Sequence, residues 1–242
     1  MIHKILLGIM TLFLLAGCMY PAEQRNQEQV NPDVQLEVVQ HAVDLYREQY
    51  NGALPIVTKD NDTPLYQKYI IDFAELRESG FIQMIPATAF ENGGTYQYVL
   101  VDVETNPTVK VLDLHLADEL RGYEQRLIIY RDEHTYPPFG EKIENNIYAL
   151  DHEKLHLDAP PTVTSPYSNE MLPVYITSNG DLLVDYRMDL YQVLQEEDVS
   201  YQEGEDIRSI LVKNHPVVPA YSIPFTIKAD EPVFAPEIEE EW

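Results

Sequence analysis

The stretch His152-Glu153-Lys154-Leu155-His156 is where this chain comes nearest to a catalytic spacing. Two histidines four positions apart on a helix project from one face and can share a Zn²⁺. A glutamate beside the first can then act as general base toward a metal-bound water. On that reading His152 and His156 are ligands, Glu153 is the base, and Glu170 is the nearest candidate for a third ligand. The neighbours argue against it. Lys154 brings a charge into the motif, and Pro160 and Pro161 leave a helix little room after His156. Leu157-Asp158-Ala159 follows, with no further histidine. A simpler account makes Asp151 the cap of an amphipathic turn. The expected catalytic residues, metal ligands and cofactors are therefore none, and a zinc-dependent hydrolase on these residues is the alternative.

The second reactive group is Cys18, the only thiol in the chain. Ahead of it, Met1 to Lys4 carry one firm positive charge. Ile5 to Ala16 form an apolar run broken only by Gly8 and Thr11. That is the build of an export signal and is too short for a spanning helix. The run ends Leu15-Ala16-Gly17-Cys18, where the small Ala16 and Gly17 let extended chain enter a peptidase cleft. These four residues resemble the bacterial lipobox. The resemblance implies cleavage between Gly17 and Cys18, a diacylglycerol on the Cys18 sulfur, and residence on the outer face of the cell membrane. Each buried methylene of such an anchor contributes about 0.8 kcal/mol, so two or more acyl chains hold where one does not. With its polar tether and composition, the chain as a whole resembles extracytoplasmic lipoproteins of the Bacillus type. The five residues from His152 to His156 resemble the zincin metalloprotease signature, without its continuation.

Other chemistry is thin. There is no G-x-S-x-G, phosphate-binding loop, G-x-G-x-x-G or C-x-x-C. A lone cysteine forbids an internal disulfide, and acylation of Cys18 would exclude a cysteine nucleophile. Asp60-Asn61-Asp62 could open a Ca²⁺ loop, but Ile71 stands where the closing glutamate belongs. The pairs Asp118-Glu119, Asp132-Glu133 and Glu196-Glu197 read as solvated helix faces, and His41 and His115 as single residues at core edges. Sixteen basic against 41 acidic residues give a net charge of −25, which repels nucleic acid and anionic surfaces. Lipid, and not a basic patch, must then hold the molecule to a membrane.

The remaining elements predict an α+β fold of two related units of about 80 residues each. Residues 1–17 are the signal peptide, and 18–32 the lipidated cysteine and a polar tether reaching about 20 Å. Asn31 and Pro32 open a helix on which Val39, Ala42, Val43 and Tyr46 recur at helical spacing, until Asn51-Gly52 stops it. Leu54-Pro55 begins a loop, Asp72 to Glu75 reads as a capping box, and Tyr96 to Val103 with Val109 to Leu114 form a hairpin. A helix over about Ala117 to Asp132 closes the first unit, 33–130. The order then restarts over 131–228. Tyr136-Pro137 echoes Leu54-Pro55, and Tyr148 to Asp151 with Leu155 echoes Tyr69 to Asp72 with Leu76. A hairpin turning at Asn179-Gly180 follows, then a helix over about Met188 to Glu197. A truncated third round begins near Glu205-Asp206-Ile207. Residues 229–242 read as an extended acidic tail after a last edge strand near Ile223 to Lys228. The cleft between two such units is a natural ligand site. The function expected is a membrane-anchored, non-catalytic binding or adaptor protein whose partner is an envelope protein or small ligand.

Overall fold

A computed structural model describes residues 32–57, 59–60, 62–196 and 201–235. The signal peptide, Cys18, all but the last residue of the tether and the end of the acidic tail therefore lie outside the described residues.

Helix α1 (Pro32–Gln49) turns Val39, Ala42, Val43 and Tyr46 inward, as its spacing predicts. It ends where the Gly52 N–H reaches back to the Arg47 carbonyl at 2.8 Å. The first sheet is antiparallel, ordered β1 (Ile56–Val57), β2 (Ile70–Ile71), β3 (Tyr96–Val101), β4 (Thr108–Asp113). Strand β3 is buried on both faces. Strand alternation sends Tyr98 and Leu100 into a core with α1 and helix α3 (Phe73–Glu78), and Val99 and Val101 into a second core. That second core holds Leu65 and Tyr66 of the short helix α2 (Leu65–Lys68), together with Val212, Val218 and Ala220 from the far end of the chain.

A tight loop fixes the entry to β3. Thr88 donates through its N–H (3.1 Å) and Oγ1 (2.8 Å) to the Gln35 amide oxygen, and its hydroxyl meets the Tyr98 hydroxyl at 2.7 Å. Gly94 passes so close that a Cβ there would lie 2.1 Å from the Thr88 carbonyl. Gly94→Ala is expected to cost about 2 kcal/mol of stability through this overpacking. It should show as a lower urea midpoint at unchanged slope; an unmoved midpoint would mean the loop can shift aside.

Asp113 caps helix α4 (Leu114–Glu133), its carboxylate accepting the His115 N–H at 2.9 Å. Leu116, Leu120 and Leu127 of α4 pack into a third and largest core. This core belongs to the second sheet, in which β5 (Phe139–Glu144), β6 (Ile147–Leu150) and β8 (Met171–Thr177) run side by side. Strands β7 (Thr162–Thr164) and β9 (Leu182–Val184) also pair with β8. The sequence puts this helix at the end of the first unit, but by packing α4 goes with the second. Helices α5 (Arg187–Glu196) and α6 (Ser209–Asn214) and the hairpin β10 (Phe225–Lys228)–β11 (Glu231–Phe234) complete this core.

The repeat is visible in hydrogen bonds. The Asp72 N–H donates to the Pro55 carbonyl and the Asp151 N–H to the Pro138 carbonyl, both at 2.8 Å. Strand β1 pairs β2 through Ile56 and Ile71, and β5 pairs β6 through Phe139 and Leu150. The Asp72 carboxylate accepts from the Glu75 N–H (3.0 Å) and the Asp151 carboxylate from the Lys154 N–H (3.2 Å). The two units differ after the cap: Asp72 starts a helix, whereas residues 152–156 are a run of turns.

Two expectations are corrected. Residues 231–234 are not free tail. They pair antiparallel with β10, and Phe234 and Ala235 are buried. Ala229 and Asp230 make the connection with φ of 52° and 64°, the two positive angles of a tight hairpin turn. His41 and His115 are exposed and not at core edges.

The segment Pro216–Ser222 straps the two sheets together. The Val111 N–H donates to the Pro216 carbonyl (2.9 Å) and the Val218 N–H to the Val111 carbonyl (2.9 Å), so the segment runs beside β4. Three residues on, the Tyr221 carbonyl accepts the Val184 N–H of β9 at 2.8 Å.

Candidate binding groove

Helix α4 presents Glu124, Leu127, Ile128 and Arg131 along one stripe, at i, i+3, i+4 and i+7. Opposite lie Pro64 and Gln67 of the first unit, and the tip of the β8–β9 hairpin closes one end. Together with Tyr221, Ser222 and Ile223 these elements enclose a cavity of about 450 Å³ between the two units. A neighbouring cavity of about 380 Å³ shares Gln67 and Tyr221 with it and extends toward Lys59 and Asp60, over a floor that includes Ile70, Leu112 and Leu114. We call the two cavities the groove, and the residues they share, Gln67 and Tyr221, its saddle.

The sequence builds this shape locally. Gly180 has no side chain at the hairpin tip, and a Cβ there would sit 3.0 Å from the Arg131 guanidinium. Tyr221 has φ of 57°, a conformation that bulky residues seldom adopt and that clusters at functional positions. Beneath the saddle, the Arg208 guanidinium is buried, pairs with Asp206 at 2.7 Å and donates to the Ser222 carbonyl at 3.1 Å. It also stacks 5.0 Å from the centre of the Tyr66 ring, next to Gln67.

Polar groups in the groove are available to a ligand. Among the described residues, the Tyr221 hydroxyl, the Gln67 side-chain amide, the Glu124 carboxylate and the Arg131 guanidinium make no hydrogen bond or ion pair. Burial, and then the Glu124 carboxylate, push the Tyr221 hydroxyl above its ordinary pKa, so it stays protonated and can donate. Ile128 is 60 % exposed on the groove wall, and Ile129, 63 % exposed, lines a different cavity.

That other cavity, about 340 Å³, takes in three residues of the H-E-x-x-H stretch but neither His152 nor Glu153. Lys154, Leu155 and His156 line it with Arg126, Tyr130 and His134. The helical placement that would put His152 and His156 on one face is missing: the segment is a set of turns and His156 has φ of 54°. Asp151 acts as the cap, with Lys154 bound to it at 2.8 Å. Glu153 and Glu170 are exposed, and among the described residues no three His, Cys, Asp or Glu side chains come together to hold a metal. Asp60 lines the groove, whereas Asn61 lies outside the described residues. Of the acidic pairs, Asp118 binds Arg121 at 2.7 Å and the Glu119 carboxylate accepts the Thr164 N–H at 2.9 Å, so Glu119 ties α4 to β7.

Residues 32–113, α1 through the last residue of β4, match one family model. It is that of the YphF family N-terminal domain, a family of the Bacillus type. The likeness covers the first unit and its wall of the groove, and the YphF-like unit ends at the Asp113 cap. No curated protein and no solved structure matches the chain. Among the described residues no helix is long and apolar enough to cross a membrane.

Sequence reasoning anticipated a cleft between the units but not the residues that form it. The periodicity of α4 puts Leu127 and Ile128 side by side as apolar positions without saying that one is buried and the other lines an opening. Nothing around Tyr221 signals a left-handed backbone.

Proposed function

We propose that the chain is a lipid-anchored extracytoplasmic protein that binds a partner or ligand in the groove between its two units and does no chemistry on it. The observation that carries this reading is the groove itself. Its two cavities share Gln67 and Tyr221, lie between the two units, and set uncommitted hydrogen-bonding groups among apolar side chains. Among the described residues its lining includes no His or Cys. The lipobox residues Leu15 to Cys18 and the acidic composition supply the address. The zinc-hydrolase alternative gains no support from the turns at 152–156.

Two readouts on one set of cells test the reading. Cys18→Ser should leave the membrane fraction and fail to take up labelled palmitate; a variant that stays membrane-bound and still processed would remove the anchor. A photo-crosslinking residue at position 128 should give an adduct in intact envelopes, seen by mass spectrometry, where the same residue at 129 gives none. Equal or absent adducts at the two positions would remove the groove.

A further inference from the structure

The groove has chemical features beyond its shape, and these point to one class of occupant. We infer that it receives an extended peptide segment carrying a basic side chain, seated across Gln67 and Tyr221 with that basic group against Glu124. The inference rests on the proposed role of the groove as the binding site.

An amide side chain at the saddle offers one donor and one acceptor together, the complement of a single peptide unit. The protonated Tyr221 hydroxyl adds a donor for a second carbonyl. On either side the floor and walls change to apolar groups: Ile70, Leu112 and Leu114 in one cavity, and Leu127, Ile128 and Ile223 in the other. An extended chain alternates its side chains across its backbone, so a polar saddle between two apolar basins fits its repeat. Charge then sets the sign. Lys59 and Asp60 line the smaller cavity, and Glu124 and Asp181 line the larger one with the single cation Arg131. Nearby, Arg121 is held by Asp118 at 2.7 Å. The groove therefore carries one excess negative charge, with Glu124 beside the Tyr221 hydroxyl, on a molecule whose net charge of −25 steers cations toward it.

The test uses the purified full-length chain held through its anchor in phosphatidylcholine nanodiscs. Recovery outside the discs would concern the anchor alone. Two acetylated and amidated octapeptides are titrated, one alternating Leu with Lys and one alternating Leu with Glu, alongside the uncharged sugar diacetylchitobiose. The Lys peptide should bind at least tenfold more tightly than the Glu peptide. Ile128→Asp should weaken it at least tenfold even though the change adds negative charge. Ile129→Asp carries the same charge change on an equally exposed neighbour and should stay within twofold. Glu124→Gln should cut the Lys preference to threefold or less. Equal binding of the two peptides, no binding of either, or equal losses in both isoleucine variants would overturn the inference. Sugar binding that Ile128→Asp abolishes, with no peptide binding, would overturn the peptide class while leaving the groove as a binding site.

Discussion

Arg208→Ala is expected to lower the unfolding free energy by about 4 kcal/mol, the range for breaking a buried ion pair from one side. Arg208 is 1 % exposed and is the largest fully buried side chain among the described residues. Its Nε donates to Asp206 Oδ1 at 3.1 Å and Oδ2 at 2.9 Å, and its Nη2 donates to Oδ2 at 2.7 Å. Its Nη1 donates to the Ser222 carbonyl and hydroxyl at 3.1 and 3.2 Å. Truncation leaves the Asp206 carboxylate with only the backbone N–H groups of Arg208 and Phe225 as partners, takes a donor from the Ser222 carbonyl and leaves a void under Tyr66. Arg208→Met fills much of the volume without the charge, so it isolates the electrostatic part and should still cost more than half as much. Adding Asp206→Leu to Arg208→Met should recover a large share, because a buried pair replaced on both sides is far less costly than one left half-made. Urea unfolding of the three variants decides it. A loss below about 1 kcal/mol for Arg208→Ala would mean that water reaches the site and the clamp is not structural.

Asp189→Ala should be the next most damaging change, at about 3 kcal/mol. Asp189 is 2 % exposed and accepts the Ser165 hydroxyl at 2.9 Å on both oxygens and the Ser168 hydroxyl at 2.6 Å. Ser165 Oγ in turn accepts the Tyr167 and Ser168 N–H groups at 3.0 and 3.1 Å, so one carboxylate organises the loop between β7 and β8. Asp189→Asn should cost less, since its carbonyl can still accept both hydroxyls. The pair also gives a signed pH test. Burial raises the Asp189 pKa above its ordinary 3.8, with the two serines and His215 working the other way. A raised folded-state pKa means the native protein holds the proton more tightly than the unfolded chain. The group's favourable contribution is therefore complete below the unfolded pKa and is lost as pH rises through the folded value. Wild-type stability minus that of Asp189→Asn should fall with rising pH across this window. A difference that grows with pH would show that the hydroxyls outweigh burial and hold the carboxylate ionised.

The parts of the fold legible in the sequence are those set by neighbours in the chain. The α1 periodicity, the Asp72 cap and the β3–β4 hairpin are all decided within about twenty residues, and all appear where the pattern puts them. The repeat was legible too, but one residue out: Pro138, and not Pro137, accepts the bond that Pro55 accepts in the first unit. What failed was non-local or chemically disguised. The β10–β11 turn uses Ala229 and Asp230, a pair that does not announce positive φ as Asn-Gly would. No local pattern marks Arg208 as buried, because its site is assembled from Asp206, Ser222 and Tyr66. Residues 152–156 fit a helical motif of five letters, yet the turn after Asp151 ends too soon for a helix.

The strap joining the sheets bears on the order of assembly. Lys110 meets the His215 carbonyl at 2.9 Å across 105 positions of sequence, and the bonds from Val111 span as far. Strand β4 is therefore made long before the residues that cover its outer edge. During synthesis its bare N–H and C=O row is an invitation to any passing strand, including another copy of the same chain. Crowding several nascent copies together is then the condition under which such a protein would first misassemble.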